Sequence, residues 1–152
     1  MDFEHTTSLA QIDAPLTDLF TEEALDRAID RAGQASAATV ARYVAAPGDE
    51  TDDAPASVEV AVEFFLTPSS LEIFEAHLEK QLVRISRRYA RERREGRLGT
   101  LLVRSVPAGT FHQWRVARRR MDDVRSAARW TTDYSMLRGI VHQGRIGWSE
   151  WL

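Results

Sequence analysis

The sequence predicts an α+β domain: a small, mainly antiparallel or mixed sheet with helices packed on it, in the order (arm)-α-β-β-α-β-α-(loop)-α. Three observations carry that expectation. In "SVEVAVEFFL" (57–66), Val58, Val60, Val62, Phe64 and Leu66 share one face and Glu59 and Glu63 the other, which is the period of a strand. Between residues 71 and 89, apolar side chains recur every three or four positions, which is the period of a helix. Strands and helices then alternate without the regular β-α-β spacing of an all-parallel sheet, so the helices are expected to cover one face of the sheet. A chain of 152 residues, 43% of them hydrophobic, has enough apolar material to close a single core.

Each element has a local reason. Residues 1–20 hold scattered apolar positions and read as an N-terminal arm. In "TEEALDRAIDRAG", Thr21 is the expected N-cap, and Glu22 and Glu23 suit the positive end of the helix dipole. Leu25, Ala28, Ile29 and Ala32 fall on one face, and Gly33 is the expected stop. "SAATVARYVAA" (36–46) reads as a strand that pairs antiparallel with 57–66 across the acidic loop "PGDETDDAP". One long helix is expected from "SSLEIFEAHLEKQLVRISRRYARERREG". Ser69 and Glu72 would form its capping box, Leu71, Phe74, Leu78, Leu82, Ile85 and Tyr89 its buried stripe, and Gly96 its end. Its charged face suggests the pairs Arg88–Glu92 and Arg91–Glu95, and His77 lies beside the stripe as a surface residue. "GTLLVRSVP" (99–107) is a further strand. After the turn at Pro107 to Gly109, Thr110 and Gln113 would cap a helix that turns Phe111, Trp114 and Ala117 inward. The pattern falters at Asp122–Asp123, and a last helix lies in "TTDYSMLRGIVHQG". The main domain is expected over 21–142, with an aromatic C-terminal tail over 143–152.

Composition narrows the function. No apolar run approaches the ~20 residues of a membrane helix, and the acidic start "MDFEHTTSLAQ" does not resemble a signal peptide. With no cysteine there is neither a disulfide framework nor a thiolate site, and a cytoplasmic location is expected. The acidic loop 47–55 lacks the ligand spacing and closing Glu of a calcium loop, so no metal is expected. The motifs G-x-S-x-G, H-E-x-x-H, G-x-x-x-x-G-K-[ST] and G-x-G-x-x-G are all missing. Glu59 and Glu63 suggest a solvated sheet face rather than a catalytic pair. "GTFHQWRVARRRMDDVRSAARW" (109–130) combines arginines with tryptophans, but a pI near 5.8 and the Asp122–Asp123 interruption argue against nucleic acid. The net charge of −3 conceals a split. Residues 1–75 carry 16 acidic and 3 basic side chains, and residues 76–152 carry 7 acidic and 17 basic. Either the two halves neutralise each other on folding, or a polar surface survives to meet an anionic ligand or partner.

Residues 58–120 also resemble the small C-terminal domain of the auxin-responsive acyl acid amido synthetases, which belong to the adenylate-forming, firefly-luciferase-like superfamily. The likeness rests on the strand Val60 to Leu66, the long helix ending at Tyr89 to Arg93, and the segment Pro107 to Trp114, "PAGTFHQW". It extends back to "TEEALDRAIDRAG" and forward to about Ile140. The resemblance implies a mobile lid that closes over an ATP-binding large domain and helps to complete an amide bond. Family members often follow the "GTF" helix with a segment like R-G-K-L-G-G-Q-x-K-V-P-R. Laid on this chain, that segment spans Arg118 to Arg129. The first lysine falls on Arg120, the leucine on Met121, the Gly-Gly on Asp122–Asp123, the glutamine on Val124, the second lysine on Ser126 and the last arginine on Arg129. Gly-Gly lets backbone approach a phosphate, whereas Asp-Asp repels an anion.

The resemblance therefore implies a stand-alone, lid-like accessory domain that acts with a separately encoded adenylating protein. No cofactor is then expected on this chain alone, with ATP and magnesium held in the partner complex. Arg118, Arg120, Arg125 and Arg129 are the candidate anion- or nucleotide-binding residues, and Trp148 and Trp151 the candidate partner contacts. The alternative is an independent small enzyme or small-acid-binding protein with a pocket beside residues 118–130. His112, Asp122, Asp123 and Ser126 would then be its candidate catalytic groups. A homodimer formed through a sheet edge and the aromatic tail is a third possibility.

Overall fold

The computed structural model describes residues 18–48, 51–118, 130–131 and 134–146. Helix α1 (Glu22–Ala35) starts as expected: the Thr21 hydroxyl accepts the Ala24 N–H at 3.1 Å. It does not stop at Gly33. The reversal comes at Ala37, whose φ of 56° is left-handed, and Gly33 serves a close approach instead. A Cβ there would lie 3.0 Å from the Ala38 carbonyl oxygen.

Strands β1 (Thr39–Pro47) and β2 (Val58–Leu66) form the expected antiparallel pair, with a register irregularity between Val40 and Arg42. Strand β3 (Leu102–Val106) pairs parallel to β2, so the sheet is mixed, in the order β1-β2-β3. A parallel neighbour requires a long crossover, and two helices supply it here: α2 (Leu71–Ile85) and α3 (Arg87–Arg94). The single helix expected over this stretch is broken at Ser86, which has extended backbone (φ −132°, ψ 107°) and caps α3 by accepting the Tyr89 N–H at 3.0 Å. The cap of α2 is likewise Ser70, which accepts from Ile73 N–H, rather than Ser69. With Ser70 as the cap, the third helical position holds Ile73, so no Glu closes a capping box.

Helix α3 ends as the sequence suggests. Gly96 has φ 77°, the Arg97 N–H reaches the Glu92 carbonyl at 2.9 Å, and the Gly96 N–H reaches that of Arg93 at 3.2 Å, forming a Schellman turn. The turn folds Arg97 back, so Glu92 pairs with Arg97 at 2.6 Å rather than with Arg88, and Glu95 also pairs with Arg97 rather than with Arg91. The Arg97 hydrogen bonds hold the Glu92 carboxyl below the usual carboxylate range. Tyr89, fully buried, donates to Glu79 at 2.6 Å, and Arg93 meets the other oxygen of that carboxylate at 3.0 Å. Burial first, then the Glu79 hydrogen bond, push the Tyr89 phenol well above its usual value.

One core lies between the sheet and helices α1 to α3. Val58, Val60, Val62 and Phe64 of β2 meet Leu25 and Ile29 of α1 and Phe74, Leu78 and Leu82 of α2. The Phe64 and Phe74 rings meet edge to face at 5.1 Å. Helices α4 (Thr110–Arg118) and α5 (Tyr134–Ile146) cover the opposite face. Val44, Ala46, Ala61, Val106, Phe111, Leu137 and Ile140 form a second core there. Helices on both faces correct the one-faced arrangement expected from the sequence. Glu59 and Glu63 are accordingly not on a solvated face; each is only 7% exposed. Burying a carboxylate is costly unless it is hydrogen-bonded, and both are: Glu63 accepts the Phe111 N–H at 3.1 Å, and Glu59 accepts the Tyr134 hydroxyl at 2.9 Å.

Candidate functional site

The arginine-rich stretch 109–130 is held at both ends. At its start, Gly109 takes φ 89°, and the Thr110 hydroxyl donates to the Pro107 carbonyl at 2.6 Å rather than capping α4. Phe111 is buried in the second core, and the partly buried Trp114 packs against the same core. The Phe111 N–H aims the positive end of α4 at the Glu63 carboxylate. At the other end of the stretch, Trp130 is buried in the first core and meets Phe20 edge-on at 5.3 Å. The Thr131 N–H donates to the Ala45 carbonyl at 2.9 Å, which makes a parallel bridge at the edge of β1 that β2 does not use.

Among the expected site residues, His112 lies in the first turn of α4 with its side chain exposed. Arg118 is the last residue of α4. Arg120, Asp122, Asp123, Arg125, Ser126, Arg129, Trp148 and Trp151 lie outside the described residues, as does the interior of the pocket expected beside residues 118–130. Trp130 was not singled out from the sequence. Its only signal there is a large aromatic closing a polar run just before Thr131 and Thr132.

The described residues do form an open trough of about 560 Å³ elsewhere, between β3 and α5. Arg104 comes from β3, and Tyr134, Arg138, His142 and Arg145 come from α5. Glu59 closes one end, where it accepts from the Tyr134 hydroxyl, and Arg138 lies over the Tyr134 ring at 5.9 Å from its centroid. Close packing of α5 on β3 depends on Gly144: a Cβ there would sit 3.2 Å from Val106. No group of three or more His, Asp or Glu among the described residues is placed to hold a metal ion. No helix among them is long and apolar enough to cross a membrane.

The sequence profile described as the GH3 family C-terminal domain matches residues 23–124, from the first turn of α1 to just past Asp122–Asp123. The chain belongs to the GH3 C-terminal domain family. That family includes the auxin-responsive acyl acid amido synthetases. The matched span contains the whole sheet, its crossover helices and α4, whereas α5 lies beyond it. Of the trough's arginines and histidine, Arg104 is inside the match, and Arg138, His142 and Arg145 are outside it. No curated protein matches the chain.

Proposed function

We propose that this GH3 C-terminal domain serves as the lid of an amide-forming acyl-activation system, in the cytoplasm, closing over an adenylating body contributed by a separate protein. Membership of the family over residues 23–124 carries the reading. The fixed start of α4 supports it, because a lid must present its loop from a rigid base. Phe111 in the second core and the Phe111–Glu63 hydrogen bond provide that base at the head of the stretch, and Trp130 closes it at the tail.

In this reading ATP and magnesium sit on the partner. This chain's contribution is to exclude water on closing and to bring cationic side chains toward the developing phosphate charge. Arg118, Arg120, Arg125 and Arg129 are the side chains for that task, and Asp122–Asp123 in place of Gly-Gly tunes the approach of the loop away from close backbone contact with a phosphate. Trp148 and Trp151 are the proposed anchors on the partner.

The test adds this chain to an adenylating protein that lacks its own small domain, then follows ATP–pyrophosphate exchange and amide formation. The chain alone shows neither activity, and amide formation by the body rises on addition of the chain. Exchange by the isolated chain, or a body that is fully active without it, overturns the proposal.

A further inference from the structure

The trough between β3 and α5 is built as a cationic rail. Positions 134, 138, 142 and 145 step by four, four and three, so they line one stripe of α5. At 1.5 Å rise per residue, Arg138 and Arg145 stand about 10 Å apart along the helix, and Arg104 faces them from β3. All three arginines and His142 are exposed, and none of them pairs with a carboxylate among the described residues. Arg93 and Arg97, by contrast, are neutralised by local glutamates. Arg138 is also held in position, over the ring of Tyr134, whose hydroxyl is fixed by the buried Glu59.

We propose that this trough binds an acidic segment of a partner protein, a short extended stretch carrying several Asp or Glu side chains. The charges are spread along a line instead of converging on one point, which suits a row of carboxylates better than a single small anion. Guanidinium groups pair with carboxylates in a planar, two-point geometry. From Tyr134 to Arg145 the rail runs about 16 Å, the length of roughly five extended residues. Recognition is by side chains, the guanidinium groups of the rail, and one N–H of the β3 edge, that of Val103, is already taken by Glu75 at 3.2 Å. A nucleic acid fits less well. Arg138 already lies over the ring of Tyr134, the trough's own aromatic, where a base would stack. The inference stands on the trough and does not require the partner to be an adenylating protein.

The experiment uses the full chain and a fluorescein-labelled hexaglutamate peptide, read by anisotropy. Saturable 1:1 binding is expected, weakening from low salt to ~0.15 M salt. The Arg104→Gln/Arg145→Gln double variant and Arg138→Gln each lower affinity, the double variant by about tenfold, ~1.4 kcal/mol. Arg84→Gln/Arg87→Gln removes the same charge from exposed positions on α2 and α3 and leaves affinity unchanged. Thermal melts confirm that each variant is folded. Three results overturn the proposal: absence of saturable binding, equal loss in the Arg84/Arg87 variant, or tighter trough-dependent binding of a single-stranded oligonucleotide or inorganic phosphate than of the peptide. Peptide binding that survives while the pyrophosphate-exchange test fails would separate this inference from the lid proposal.

Discussion

Replacing Glu63 by Ala asks whether α4 closes the second sheet face in solution. Glu63 is 7% exposed, and its carboxylate accepts the Phe111 N–H at 3.1 Å in the first turn of α4. A hydrogen bond to a charged group contributes about 1.5–3 kcal/mol. A negative charge at a helix N-terminus adds about 0.3–1 kcal/mol. Relief from burying the carboxylate offsets part of that sum, leaving a net loss of about 2 kcal/mol. For a domain of this length, each kcal/mol shifts the melting temperature by about 2–4 °C, so Glu63→Ala should melt about 4–8 °C lower. Glu63→Gln keeps the acceptor and loses the charge, so about half of that drop is expected. Asp52→Ala, at an exposed position in the β1–β2 loop, is the comparison and should fall within about 0.5 kcal/mol of the parent. Thermal and urea unfolding followed by circular dichroism measure all three. A Glu63→Ala protein as stable as Asp52→Ala would refute the reasoning. Glu63 would then face solvent, and α4 would not be seated on β2.

Trp130→Ala removes a buried indole and its edge contact with Phe20, so a loss of about 3–5 kcal/mol is expected in urea unfolding. A change below about 1 kcal/mol would show that the tail of the arginine stretch is not anchored in the first core. Ser86→Ala deletes the α3 cap at Tyr89 N–H and should cost about 1 kcal/mol, whereas an increase in stability would favour one continuous helix over the break. Arg97→Gln addresses pH. Because Arg97 holds the Glu92 carboxyl low, that pairing stabilises the fold above the ordinary carboxylate range and is lost as pH falls through that range and below it. The variant should therefore be less stable near neutrality and lose less on acidification, and parallel pH–stability curves for the two proteins would contradict the pairing.

The first core was legible in the sequence because its signals are local. Thr21 before an acidic turn, the alternation through Val58 to Phe64, and the Phe74–Leu78–Leu82 steps each state an element and a face. The break at Ser86 was hidden because Ile85 and Tyr89 continue the helical spacing across it; serine is a weak signal inside a helix and a strong one only once it caps. Glu59 and Glu63 read as solvated because two carboxylates alternating with valines look like an open sheet face. Their partners, Tyr134 and the Phe111 N–H, come from 75 and 48 residues away. The trough was invisible for the same reason. Arg104, Arg138 and Arg145 are single arginines in apolar or mixed surroundings, and only the packing of α5 on β3 brings them together. The dense arginines of 109–130 drew attention by composition, but composition cannot say where a loop goes.

The opposed charges of the two halves of the chain could have cancelled by pairing across the fold. Three of the acidic half's buried and half-buried carboxylates show a different solution. Glu59, Glu63 and Glu75, all from the acidic half, accept from a tyrosine hydroxyl and two backbone N–H groups, which carry no net charge. The carboxylates of Glu79, Glu92 and Glu95, from the basic half, pair with Arg93 and Arg97 of that same half. These acids of the first half are therefore satisfied without consuming a single arginine of the second. Their hydrogen bonds come from neutral donors distant in sequence, and among the described residues of α5 and β3 three arginines line one trough. A surface lined by charges of one sign costs self-repulsion whenever it is bare. The cost is relieved when an anionic partner arrives, so an interface between this domain and an acidic surface would be stabilised from both sides: by the new pairs and by the repulsion removed.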